Sequence, residues 1–255
     1  MSGTANRTTR ALGLAALSAT AVTVYLGLVV TPPDQVQGQL VRLIYIHPAS
    51  ATFSFVACGV TFAASLLYLW PRTRSRRWDH LAASSAEIAA VFAALSLATG
   101  SIWGRPTWGV WWTWDARLTL TALLFALLLG YLALRRIGGP AETRSKLSAV
   151  AGVLLFAVVP VDHFATEWWR TLHQGDTLFR PKPLIHGSQL ATMLLSFLAF
   201  ALIYGYLLVH RYRLEQLEER LETEGLELAL AERRAEGAAE SGGVVGAGAS
   251  QQVAP

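Results

Sequence analysis

Charge is scarce in this chain. Of its 255 residues, 15% are Asp, Glu, Lys or Arg, against about 25% in an ordinary soluble domain. Thiols are scarcer still. Cys58 is the single cysteine, which excludes a disulfide scaffold and any zinc or iron–sulfur site built on several thiolates. No Gly-rich loop ending in Lys-Ser or Lys-Thr occurs, so ATP coupling through a Walker motif is not a property of this polypeptide. What fills the sequence instead is apolar: 53% hydrophobic residues and a mean hydropathy of +0.39. The net charge of +4 lies in short runs between long uncharged stretches, a pattern of membrane topology rather than of nucleic-acid binding.

Crossing a hydrocarbon core of roughly 30 Å takes about 20 apolar residues in helix. Six stretches approach or exceed that length without a formal charge: 11–30, 43–70, 88–103, 118–134, 147–161 and 184–209. The fifth is short and is expected to continue through Asp162 and His163. A central Asp, Lys or Arg costs about 2.5–3.5 kcal/mol on insertion, so their absence from all six is selective. The predicted fold is all-α, a polytopic membrane protein of six transmembrane helices. The first stretch reads as a retained helix rather than a cleavable signal, because its apolar run exceeds the usual length of about 7–15 residues. Arg7 and Arg10, the Arg72 to Arg77 cluster, the group Arg135, Arg136, Arg144 and Lys146, and Arg211 with Arg213 all fall on one side of such a chain. Basic residues mark the cytoplasmic face, so both termini are predicted there. Residues 1–210 then form the membrane domain. Residues 211–236, charged and with Leu214, Leu217 and Leu221 at helical spacing, form a cytoplasmic helical extension; 237–255, rich in Ala, Gly and Ser, reads as disordered.

The other side carries the unusual residues. Five of nine tryptophans fall between Trp103 and Trp114, and Trp168 and Trp169 lie before the sixth helix. An interfacial aromatic belt would distribute rings over both faces, whereas only Trp70 and Trp78 lie on the inner side. Flat rings gathered on one membrane face suit a large flat apolar ligand. Trp108, Trp111, Trp112 and Trp114 offer stacking area, Gly109 allows close backbone approach, and Asp115 and Arg117 open the fourth helix with opposite charges. Asp115 is also placed to cap that helix. Four of six histidines, His47, His163, His173 and His186, lie on the same side; His80 and His210 do not. Two imidazoles from separate segments beside an aromatic shelf could hold a metal in a flat macrocycle, a description that heme meets.

Trp108-Gly109-Val110-Trp111-Trp112-Thr113-Trp114-Asp115 resembles the tryptophan-rich motif of the heme-handling superfamily of cytochrome c maturation. Ala116-Arg117-Leu118-Thr119 continues it as in the CcmC branch, and Tyr45-Ile46-His47-Pro48-Ala49 and Glu167 to Gly175 resemble the same branch in the same order. The resemblance covers roughly residues 11–211; Pro48 after the histidine and the long charged C-terminus depart from the pattern. It implies non-covalent heme b bound at the periplasmic face of the bacterial inner membrane and loaded onto the heme chaperone CcmE. The implied partners are the small subunit CcmD and the ATP-driven subunits CcmA and CcmB. Axial ligands would be His47 and His173, with His163 the weaker candidate. The heme-binding set would add Trp108, Gly109, Trp111, Trp112, Trp114, Asp115, Arg117, Trp168 and Trp169, with Arg105, Arg117 and Arg170 as candidate partners of the propionates. No catalytic residue is implied. The larger heme-ligase branch of the superfamily, and a membrane transporter of heme or another solute, remain as alternatives. The continuation after Asp115 and the six-helix length weigh against the ligase branch, and the lack of mid-span charge against the transporter.

Overall fold

The structure, a computed structural model, describes residues 6–175 and 185–249, with side chains up to residue 234. Among them the regular structure is entirely helical. Helix α1 (Arg7–Tyr25) runs into a π turn at Leu26–Val30, and a 3-10 segment, Gln39–Tyr45, leads into α2 (His47–Leu69). Then follow α3 (Arg76–Trp108), α4 (Ala116–Leu134), α5 (Ala141–Phe156), the short α6 (Val158–His163) and α7 (Ala165–Trp168), and the long α8 (Gly187–Ala249). Among the described residues six helices are long and apolar enough to cross a membrane, the expected number.

Local chemistry sets the helix ends. Asn6 and Thr9 form a reciprocal capping box, each side chain bonding the other's backbone N–H at 2.9 Å, so α1 starts ahead of the expected Ala11. Pro48 falls in the first turn of α2, where a missing N–H removes no helical hydrogen bond. Its departure from the family pattern is thereby absorbed. Helix α3 corrects the sequence reading at both ends: it begins at Arg76 rather than near Ile88, and reaches Trp108 with Pro106 in its last turn. It stops where Gly109 adopts a left-handed φ of 80° and returns its N–H to the Arg105 carbonyl at 3.1 Å. The fifth span breaks at Ala157 and continues as α6 through Asp162 and His163.

Small residues line the contact between α2 and α3: Ala57, Cys58, Ala86, Ala89 and Ala93 are all buried. In a membrane such residues let backbones approach where no hydrophobic force drives helices together. Leu124, Leu128 and Tyr131 of α4 and Leu155 of α5 complete this core, and Phe92 meets Phe200 of α8 at 5.5 Å between centroids. Ser85 joins the Ala57 carbonyl and the Tyr204 hydroxyl, each at 2.8 Å.

The bundle closes as one compact unit at Tyr212, and the residues from Arg213 form a second unit. In the second, Leu217 and Leu221 are exposed on a helix otherwise dominated by charge. Helical backbone continues to Ala249, past Glu236, where composition predicts disorder; extending an existing helix requires no new nucleus. Residues 250–255 lie outside the described ones.

Candidate functional site

Because successive spans alternate in direction, the start of α2, the end of α3, the start of α4, and α6 with α7 meet at one end of the bundle. They enclose a cavity of about 490 Å3. Its lining includes His47, His163, His173, Trp103, Trp108, Trp112 and Arg117.

His47 is the first residue of α2, and α3 fixes its ring. Its Nδ1 lies 3.1 Å from the Ser96 carbonyl and 3.2 Å from the Thr99 hydroxyl. A carbonyl can only accept, so Nδ1 carries a proton, and in the neutral ring Nε2 then keeps its lone pair. Gly100 makes room for the ring: a Cβ there would stand 3.0 Å from His47 Cε1. His173, on the segment after α7, is held in the same tautomer by Nδ1 donating to the Gln174 carbonyl at 2.9 Å. Burial holds its pKa below the usual histidine value, against the opposing effect of that carbonyl. The two imidazoles come together with centroids 6.2 Å apart and planes inclined by 36°. In its neutral form each ring, with Nδ1 engaged, offers Nε2 as a metal ligand.

The tryptophans divide. Trp103 meets His47 edge-on at 5.9 Å and donates Nε1–H to Gln37 at 2.9 Å. Trp108 packs against His173 at 6.4 Å, and only glycine fits beneath it, since a Cβ at Gly104 would approach its ring to 2.9 Å. Trp112 also faces the cavity. Trp111 and Trp114 do not line it and are 59% and 80% exposed. Trp168 and Trp169 are likewise exposed, Trp168 stacking on Phe164 at 5.6 Å. Gly109 ends α3 rather than lining the cavity.

Asp115 caps α4 as expected, Oδ1 accepting from Leu118 N at 3.0 Å, and its second oxygen accepts from Leu172 N at 3.1 Å. Arg117 faces the cavity, donates to the His163 carbonyl at 3.0 Å and lies 3.6 Å from the fully buried Asp162. Thr121 donates to the same carboxylate at 3.0 Å. Arg105 bonds the Gly109 carbonyl at 2.6 Å, away from the cavity. Arg170 and His186 are exposed and do not line it either. Sequence reasoning missed Gln37, Ser96, Gly100 and the role of Asp162. Only Asp162 carried a signal, as an ionisable residue at the end of an apolar span.

These features define a class: a multi-pass helical membrane protein with a histidine pair and a tryptophan-lined cavity at one end of its bundle. The model of the family "CcmC: Heme exporter protein C" matches residues 1–227. Proteins named heme exporter protein C are similar to this chain. That of Haemophilus influenzae is 38% identical over 196 residues, 76% of this chain and 78% of its own length. That of Bradyrhizobium diazoefficiens is 35% identical over 80% of this chain and 78% of its own length. That of Escherichia coli K12 is 36% identical over 71% and 73%. The chain belongs to the CcmC family, as its three motifs suggest.

Proposed function

We propose that this protein serves heme export for cytochrome c maturation by holding heme b non-covalently in the cavity and delivering it to the chaperone CcmE. In this reading His47 and His173 ligate the iron from opposite faces, while Trp103, Trp108 and Trp112 wall the macrocycle. The observation that carries it is the histidine pair: two rings in the tautomer that leaves Nε2 free, 6.2 Å apart. Two imidazoles on opposite sides of one metal ion, with metal–nitrogen bonds of about 2 Å, have centroids about 6 Å apart. Among the described residues no group of three or more His, Cys, Asp or Glu forms a bare-ion site, whereas a macrocycle brings four of its own ligands and requires two. Among the described residues Arg117 is the arginine that lines the cavity, and it suits a propionate; Arg105 is engaged at the end of α3.

The site lies opposite the ends that carry the Arg72 to Arg77 and Arg135 to Lys146 clusters, and the positive-inside rule supports the periplasmic face of the inner membrane for it. CcmD is the expected small partner, and CcmA and CcmB supply the ATP coupling this chain lacks. The role is delivery, with no catalytic residue. Detergent-purified protein should carry a pigment that acid–acetone extracts completely. His47→Ala and His173→Ala should each lose or shift the Soret band, and added imidazole should restore it in part. Pigment that stays on the polypeptide, or unchanged spectra in both variants, overturns the reading.

A further inference from the structure

The first turn of α4 grips the segment that carries His173 at two points. Near one end of that segment, Arg117 donates to the His163 carbonyl at 3.0 Å. At the other, Asp115 Oδ2 accepts from Leu172 N at 3.1 Å, one residue before the histidine. Between them lie only the short α7 and irregular backbone, so little secondary structure fixes where His173 stands. Among the described residues the other hydrogen bonds of 171–175 are local: Thr171 Oγ1 donates to the His173 carbonyl at 3.1 Å, and His173 Nδ1 to the Gln174 carbonyl. They shape the loop without attaching it to the bundle.

We infer that Asp115 is a positioning residue for His173: its carboxylate divides its two oxygens between capping α4 and tethering the histidine loop at Leu172. The tether itself stands on this geometry, and its consequence for iron rests on the ligand role proposed above for His173. A carboxylate serves because it is an acceptor on both oxygens, where an amide offers one acceptor and one donor. The last residue of the tryptophan motif is in this way joined to the loop of the distant histidine.

The test separates tether from cap. Asn and Ser are good N-caps, so Asp115→Asn and Asp115→Ser keep α4, but neither offers a second acceptor that reaches Leu172. Tryptic cleavage after the exposed Arg170 of the heme-free protein, followed by mass spectrometry, should accelerate about tenfold in both, the scale of one hydrogen bond to a charged acceptor. Their thermal midpoints should hold. In heme-loaded protein the same variants should shift the Soret band in the direction of His173→Ala, and imidazole should reverse the shift. Unchanged cleavage in both variants overturns the tether whatever the spectra do. Faster cleavage without a spectral change, where His173→Ala does change the spectrum, overturns the positioning role. If His173→Ala leaves the spectrum unchanged, the ligand assignment fails and cleavage alone decides the tether.

Discussion

Each end of the bundle holds a buried carboxylate beside an arginine, and the two are built differently. At the end away from the cavity, Asp79 takes both guanidinium nitrogens of Arg135, at 2.7 and 3.2 Å, and the Ser145 hydroxyl at 2.8 Å. That joins α3, α4 and α5 in a planar fork, the strong form of the interaction. At the cavity end Asp162 is fully buried, yet Arg117 stands 3.6 Å off through Nε and gives NH1 to a backbone carbonyl. One pair is a fastener closed on itself. The other sets a counter-charge near an arginine without saturating its donors, leaving a cation at the wall of a cavity. The same residue types thus serve rigidity at one end and availability at the other.

An identical substitution at both ends measures the difference. Asp79→Asn removes the charge from a forked pair and should cost about 1.5–3 kcal/mol. At about 2–4 °C per kcal/mol for a domain of this size, its thermal midpoint in detergent should fall by several degrees, with the heme spectrum of the folded fraction unaltered. Asp162→Asn removes no direct arginine hydrogen bond and keeps an oxygen for Thr121; its cost should stay below about 1 kcal/mol, while its heme spectrum or occupancy should change. Equal losses of stability would mean that both ends are fasteners.

A smaller effect is expected at Gly100. Ala in place of a mid-helix glycine ordinarily stabilises by about 0.5–1 kcal/mol. Here the new Cβ would press on His47 at 3.0 Å, so Gly100→Ala should gain nothing in thermal midpoint and should move the Soret band. A gain of the ordinary size with an unmoved band would show that the ring has room to spare.

The spans were legible because a membrane punishes a central charge, and all six apolar runs obey that rule. Their ends were less so. Asp79 and Glu87 lie inside α3 because Arg135 and Arg211 come from other helices to meet them, and such pairing across the bundle leaves no local mark. At the site, the histidine pair and the tryptophan motif were visible as residue types at the right topological end. Which rings turn inward was not, because the motif straddles a helix end: Trp108 belongs to the last turn of α3, and Trp111 to Trp114 to the irregular stretch before α4. Helical periodicity stops at Gly109 and predicts nothing beyond it. Gln37, Ser96 and Gly100 act on rings distant in sequence, through contacts that no spacing announces.

That division of the motif gives the last and finest test. Trp108 and Trp112 line the cavity, whereas Trp111 and Trp114 turn away from it and are largely exposed. If the cavity holds heme, the inward pair governs retention and the outward pair is free to meet the chaperone or the lipid interface. Trp108→Ala and Trp112→Ala should lower heme content. Trp111→Ala and Trp114→Ala should leave it within about twofold, since exposed substitutions stay near ±0.5 kcal/mol, while reducing the yield of covalently loaded CcmE. Trp112→Phe is the control for ring against N–H: its buried Nε1 has no hydrogen-bond partner among the described residues, so Phe keeps the wall and discards an unmade bond. Its heme content should therefore stay close to that of the unchanged protein. The measurement is heme per polypeptide beside labelled chaperone for each variant. Were heme content and labelling to fall in the same proportion for all four alanine variants, the inward and outward tryptophans would share one function, and the difference in exposure would carry no division of labour.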